Sequence, residues 1–294
     1  MRVNVAYTSS KGVTFEFQME KIRIRTANFH EWKYSPDVLE RRFGERVLRF
    51  NKEAIAYNAL LYLQGTQQYR REKLMEMHTA FERDIRSNLP GRLTWGTNYI
   101  DCFIVSSSTY PDECEYYTAN EIEIYCPDPF WIEPAEYEFI KSYEGNALVG
   151  SAIVGESQIG NRDTSGFLDY PYDYAYDYAA KGPGSQIVSN DSPSATPFRM
   201  VIYGPVANPY FYIAGKYYGV TTLVDEGEYL TIDSRNKTVI RTKIDGTKVN
   251  EFNNRSKQTS IFDPVPEGNV KVIWPATFGM TLTLLKERSE PVWS

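Results

Sequence analysis

Three segments near the start of the chain, RVNVAY, VTFEF and KIRIRT, alternate apolar and polar side chains one by one. A period of two places all the apolar groups on one face of an extended chain, so these segments predict strands with one wet and one dry face. Ser9-Ser10 and Gly12 mark a turn between the first two. Over residues 26–44 the alternation fades, and Trp32, Tyr34, Pro36 and Gly44 predict a structured loop. The next run, RVLRFNKEAIAYNALLYLQG, supports two readings. Its β-branched and aromatic content favours extended chain early, whereas the Ala-Leu stretch suits a short helix.

The clearest helical period lies over residues 71–88. Leu74, Met77, Phe81 and Ile85 recur at intervals of three and four, with Glu72, Glu76, Glu82, Arg83 and Arg86 elsewhere on the cylinder. Asn88-Leu89-Pro90-Gly91 ends it, because Asn tolerates the left-handed cap, Pro lacks a donor and Gly accepts positive φ. RLTWG and NYIDCFIVSSSTY then predict a hairpin turning at Gly96-Thr97-Asn98. ANEIEIYC predicts a further strand, with Ile122, Ile124 and Cys126 on one face and Glu121, Glu123 and Tyr125 on the other.

At Cys126 the texture changes. CPDPFWIEP holds three prolines in nine residues, which a central strand does not accommodate, and it reads as a domain boundary. One helix and six or seven strands make residues 1–133 an α+β domain. Residues 134–294 show no helical period. Short strand-like runs (FRMVIYG, PYFYIAG, KYYGVTTLV, EYLTID, KTVIRTKI, GNVKVIWPA, MTLTLLKER) are separated by Gly, Asn, Asp and Pro, with breaks at Ser234-Arg235-Asn236-Lys237 and Asp245-Gly246. That spacing predicts a β-sandwich. Residues 181–197, rich in Gly, Ser and Pro, read as a loop or irregular edge. The fold class is thus mainly β with one helix in the first domain.

Composition sharpens the class. A length of 294 residues favours two domains, and 42% hydrophobic with 24% charged residues is enough for packed cores. No run approaches the roughly 18 apolar residues of a membrane helix, and the N-terminus lacks a leader pattern, so a soluble cytoplasmically made protein is expected. The net charge of -6 argues against a general nucleic-acid-binding surface, although the first 92 residues hold 17 Lys or Arg against 11 Asp or Glu. Cys102, Cys114 and Cys126 fit neither a disulfide framework nor a tetrahedral metal site, and read as small buried groups.

Little in the chain points to a reaction. There is no G-x-S-x-G elbow, no Walker loop and no G-x-G-x-x-G; Gly150, Gly155 and Gly160 fit no phosphate fingerprint. His30 and His78 read as ordinary polar groups. The acidic stretch of Asp112, Glu113, Glu115, Glu121, Glu123 and Asp128 could hold a glycosidase pair, but a solvated strand face has the same composition. No catalytic, cofactor or metal residues are therefore assigned. The sharpest local feature is YPYDYAYDY, in which Tyr170, Tyr172, Tyr174, Tyr176 and Tyr178 alternate with Pro171, Asp173, Ala175 and Asp177. If extended, five phenols share one face. Three uses stay open: covering the domain's own core, contacting another subunit, or stacking sugars.

The order and spacing of several phrases together resemble the distal tail (Dit) family of long non-contractile phage tails. In the first domain these are the helix followed by NLPGRLTWGTNYIDCFIVSSSTY, and EIEIYCPDPFW. In the second they are GFLDYPYDY, FRMVIYGPVANPYFYIAGKYYGV, EGEYLTIDSRNKTVIRTKIDGTKVNEFNNRS, IFDPVPEGNVKVIWPA and RSEPVW. The resemblance implies an N-terminal ring-forming belt domain (1–133) and a C-terminal galectin-like β-sandwich (134–294). It also implies a virion location and a homohexameric ring joining the tail tube protein to the tail-tip (tail-associated) protein and to receptor-binding or baseplate proteins. DNA would pass only transiently through the lumen, and no cofactor or membrane insertion is implied. The alternatives left by the residues themselves are a carbohydrate-binding sandwich used in host adsorption and a cell-wall glycan hydrolase. The basic residues Arg42, Arg46 and Arg49 are expected at contacts with neighbouring tail proteins in preference to DNA.

Overall fold

The computed structural model describes residues 3–17, 21–110, 116–141 and 184–292. It divides into two compact units, Met1–Glu133 with Glu287–Ser294, and Pro134–Lys286. The last eight residues thus belong to the first unit, where the sequence alone had placed them with the second half.

In the first unit the alternating segments become β1 (Val5–Thr8), β2 (Thr14–Glu16) and β3 (Ile22–Ala27). They are followed by β4 (Ser35–Glu40), β5 (Glu45–Asn51), β6 (Ile55–Gln64), α1 (Gln67–Ser87), β7 (Gly91–Trp95), β8 (Asn98–Thr109), β9 (Tyr117–Cys126) and the start of β10 (Trp131–Phe139). The expected loop over 26–44 contains β4, and the ambiguous run is extended throughout, as β5 and β6. One sheet runs β2-β1-β7-β8-β10 and a second β3-β6-β9-β8. β8 serves both: Asn98–Cys102 pairs with β7, and Phe103–Thr109 pairs with β9 across a register shift after Ile104. The β7–β8 turn is the tight Gly96-Thr97 loop, with Gly96 at φ 60° as such a turn demands.

Helix α1 starts one turn earlier than its apolar stripe. Thr66 Oγ1 accepts the Tyr69 N–H at its N-terminus, and Asn88 closes the other end in the left-handed region at φ 51°. Its buried face is Arg70, Leu74, Met77, Ala80, Phe81 and Asp84, whereas Ile85, expected on that stripe, is largely exposed. Phe81 meets Tyr7 and Phe15 edge-to-face at 5.3 and 6.2 Å. The carboxylate of Asp84 has no solvent exposure. It accepts the Tyr7 hydroxyl at 2.7 Å and both the backbone N–H and the hydroxyl of Ser10, at 3.1 and 2.5 Å. Gly91 gives this arrangement its room, since a Cβ there would collide with the Tyr7 ring. Burial and the bond to Asp84 push the Tyr7 phenol well above its ordinary pKa, so it stays a donor.

The second unit begins within β10 and continues through β11 (Gly184–Asn190), β12 (Phe198–Tyr203), β13 (Val206–Ala207), β14 (Tyr210–Ile213), β15 (Lys216–Gly219) and β16 (Leu223–Val224). Then come β17 (Tyr229–Asp233), β18 (Thr238–Thr242), β19 (Lys248–Asn250), a 3-10 turn at Phe252–Asn254, β20 (Gly268–Trp274) and β21 (Met280–Arg288). One antiparallel sheet has the order β19-β18-β17-β12-β21-β10 and the other β11-β20-β14-β15, so residues 184–190 form an edge strand. Alternate residues of both sheets, including Met200, Ile232 and Leu282 from one and Phe211, Ile213 and Val272 from the other, share one buried core. This is sandwich packing. Among the described residues no helix is long and apolar enough to cross a membrane.

A half-buried clasp joins β18 to its neighbours: Arg241 donates to Glu228 at 2.8 Å and to Glu251 at 2.9 Å, and Asn254 also donates to Glu251. Burial alone would raise the Glu251 pKa, but the hydrogen bonds from Arg241, Asn254 and Thr222 outweigh it and hold the group below the usual carboxylate range.

Two expectations follow. Asp84→Ala strands the Tyr7 hydroxyl and Ser10 N–H in the interior and should lower stability by about 3 kcal/mol in urea unfolding, with Asp84→Asn intermediate. For Glu251, a depressed folded-state pKa means the stabilisation is present above the unfolded value of about 4.3 and is lost as pH falls through the folded one. Glu251→Gln should flatten the acid limb of the stability-against-pH curve.

Candidate oligomerisation and docking surfaces

Of the residues considered for chemistry, those among the described residues hold elements together, lie buried or stand on solvated faces. Tyr170, Tyr172, Tyr174, Tyr176 and Tyr178 lie outside the described residues, as do Asp112, Glu113, Cys114, Glu115 and the Gly150–Gly160 stretch. Glu121 and Glu123 project from the outer face of β9, where Glu121 accepts the Tyr110 hydroxyl at 2.7 Å. His30 packs edge-on against Trp95 at 5.6 Å and lies 3.6 Å from Glu290, while His78 bonds Ser107 at 2.8 Å. Both histidines therefore hold elements together. Cys102 and Cys126 are buried, unoxidised neighbours on β8 and β9, and the hydrogen bond between them, together with burial, raises the Cys102 thiol pKa and keeps it protonated. No group of three His, Cys, Asp or Glu that could hold a metal occurs among the described residues.

What stands out is a surface that the alternation argument missed. β4 and β5 pair only with each other, out of the two larger sheets, and β5 is exposed along its whole length. Leu39, Phe43, Val47, Leu48 and Phe50 are all exposed, Phe43 by 86%. Between them stand Arg41, Arg42, Arg46 and Arg49; Arg49 pairs across the hairpin with Asp37 at 3.0 Å, and the Arg42 guanidinium lies 5.5 Å from the Phe43 ring. An isolated two-stranded ribbon carrying five large apolar side chains in water is a liability unless something covers it.

The root of this hairpin is fixed while its shaft is bare. Tyr34, just before β4, hydrogen-bonds Ser289 at 3.1 Å and meets Trp32 edge-on. Lys52, just after β5, places its ammonium 4.4 Å from the Phe130 ring centroid and 5.6 Å from that of Tyr34, with no hydrogen-bond partner among the described residues. Desolvation lowers its pKa to about 8, against the opposing pull of Asp128 and Glu287. Strands at the sheet ends add further surface: among the described residues β2 and β3 end the sheets of the first unit, and β11 and β19 lie at ends of those of the second.

The lysine environment gives a direct check. After reductive 13C-methylation, the Lys52 resonance should titrate with a midpoint near 8, below the ordinary lysine value. Because the folded-state value is lowered, stability should rise as pH increases from about 8 towards the unfolded value of about 10.4. Lys52→Met should remove that rise.

Comparison with known proteins places this architecture. No protein-family model matches the chain, and no curated protein matches it. Solved structures do. A chain of the phage P2 baseplate in its activated conformation with Ca superposes at TM-score 0.62 with 12% identity, covering 99% of this chain and 100% of that one. The strontium form of the phage p2 baseplate gives 0.62 at 13% identity, with the same coverage. SPP1 Dit, described as a paradigm of the hub adsorption apparatus in phages infecting Gram-positive bacteria, gives 0.54 at 8% identity over 97% of this chain and 99% of that one. Across both units, this chain has the fold of the phage baseplate and Dit hub proteins.

Proposed function

We propose that this chain is a structural, non-enzymatic hub protein of a phage tail. Six copies close into a ring that joins the tail tube to the tail-tip protein and to receptor-binding or baseplate proteins. The observation that carries the reading is end-to-end likeness: the match to the baseplate chain covers 99% of this chain and 100% of that one, so it spans both units.

The exposed hairpin supports the self-associating part of this reading. Closure of a cyclic ring requires two different, complementary faces on each protomer. A ribbon of exposed Leu, Val and Phe interleaved with Arg supplies apolar area and bidentate donors, the residue types enriched where proteins meet. In this reading the first unit is the belt that closes the ring, and the second is the galectin-like platform on which tail-tip or receptor-binding proteins dock. Arg42, Arg46 and Arg49 then serve protomer contacts, while the overall charge of -6 leaves the lumen free to pass DNA without holding it. Residence at the distal end of the virion tail, after assembly in the host cytoplasm, follows from the same reading.

Native mass spectrometry of the purified chain should give six protomers or a back-to-back pair of such rings. The double variant Phe43→Ser with Leu48→Ser should shift this towards monomer with an unchanged circular dichroism spectrum, since it removes only exposed area. A wild-type chain that stays monomeric at high concentration would overturn the reading.

A further inference from the structure

In the second unit, one face of the β14–β15 pair gathers three tyrosines. Phe211, Ile213 and Tyr218 point into the core, so Tyr210, Tyr212 and Tyr217 lie together on the opposite face. Tyr210 and Tyr217 are stacked, 5.9 Å apart at 28°, and Tyr212 stands edge-on to both, at 6.1 and 5.5 Å. Tyr217 can lie across its strand because residue 219 is glycine: a Cβ there would collide with the Tyr217 hydroxyl. Tyr210 remains 39% exposed.

Beside these rings is an open groove of about 510 Å³, lined by Tyr212 and Tyr217 together with Gly219, Val220 and Thr221 and with Ser256, Lys257 and Gln258. That volume falls in the range of small-ligand clefts. Asn208, Lys257 and Gln258 are exposed at its rim, and no described residue bonds their side chains. Two amides and an ammonium thus stand ready on one side of the aromatic faces.

This pairing of surfaces has a specific complement. The ring C–H groups of a pyranose form an apolar, weakly positive face that suits the negative face of a phenol ring. Its hydroxyls need donors and acceptors in one plane around it, which amides supply in both senses. A peptide strand fits less well. The outer edge of β15 is already occupied, since Ser256 N–H bonds Gly219 O at 2.8 Å and Thr259 Oγ1 bonds Tyr217 O at 2.5 Å. Nor does the groove offer an apolar socket for an anchoring side chain, because Val220, the aliphatic residue in its lining, is buried. We propose that the groove beside Tyr212 and Tyr217 binds a saccharide, one pyranose lying against the tyrosine rings and its hydroxyls reaching Asn208, Lys257 and Gln258. The proposal goes beyond the hub reading, giving the second unit a ligand of its own.

The test is saturation-transfer NMR on the full chain with maltotriose, mannotriose and chitotriose as probes. At least one should receive transfer on its ring protons, with a Kd on the order of millimolar for so open a site. Tyr217→Ala and Gly219→Ala should each weaken binding by about tenfold or more, and the mild surface change Gln258→Ala by about threefold. Tyr203→Ala, an exposed tyrosine elsewhere in the same unit, should leave it unchanged. Absence of transfer for all three sugars, or transfer indifferent to the groove variants, overturns the proposal. Loss of Tyr210 and Tyr217 solvent accessibility on self-association would overturn it too, since the groove would then be a protein contact. Native mass spectrometry of the same variants separates the two readings, because the sugar site can fail while six protomers still assemble.

Discussion

A carboxylate without access to water organises the first unit. Burying Asp84 as an anion costs several kcal/mol unless its oxygens are fully occupied, and here three donors converge on them. Those donors come from β1 and the turn after it, while the carboxylate comes from the last turn of α1. The requirement to satisfy one charge therefore fixes where α1 lies along β1, and with it which face of the two sheets sharing β8 is covered. Gly91, three residues beyond the helix cap, belongs to the same constraint, because any side chain there would displace Tyr7. Among its described residues the second unit covers its sheets without an α-helix. Its two sheets bury each other's dry faces, and Arg241 holds the β17–β18 corner against the following turn through two carboxylates at once.

Set against these closed interiors, the exposed features sort into two chemically distinct kinds. The β4–β5 ribbon is apolar and cationic, suited to a protein surface that can exclude water and answer guanidinium groups with carboxylates. The Tyr210–Tyr212–Tyr217 face is aromatic and amide-rimmed, suited to a ligand that is itself half apolar and half hydroxyl. Neither resembles a reaction centre: the described titratable groups near them have the roles of anchors and donors.

Much of the fold was legible because its strands are amphipathic. Ile122, Ile124 and Cys126 are buried and alternate with solvent-facing partners, as period two requires. β5 is legible as extended chain from its β-branched and aromatic residues, but β4 and the ribbon it forms with β5 are not, for the converse reason. With neither face dry it has no apolar–polar alternation, and Pro36 and Gly44 read as loop residues when they open a strand and make its turn. The first turn of α1 was hidden because Gln67, Gln68, Tyr69 and Arg70 carry no aliphatic stripe, and the helix buries a charged pair of positions, Arg70 and Asp84, in place of Ile85. The prolines of CPDPFWIEP do not end the structure: β10 begins at Trp131 and contains Pro134, since it meets β8 through a single residue pair, Ile132 with Tyr99. The tyrosine groove left a trace in PYFYIAGKYYG, where both parities are aromatic, so one ring set had to face outward. Only the register, with Tyr210 opposite Gly219, shows which set it is and that the rings have room to lie flat.

The hairpin with its riveted root and bare shaft has a thermodynamic consequence of its own. A flexible tail reaching for a partner loses backbone freedom for every residue it immobilises, and that loss subtracts from whatever the contact yields. A ribbon already zipped to itself has surrendered that freedom during folding. Whatever surface eventually receives it meets a pre-shaped tongue, so the strength of the union is governed by the chemistry of a few projecting side chains, and changing one of them tunes grip without disturbing shape.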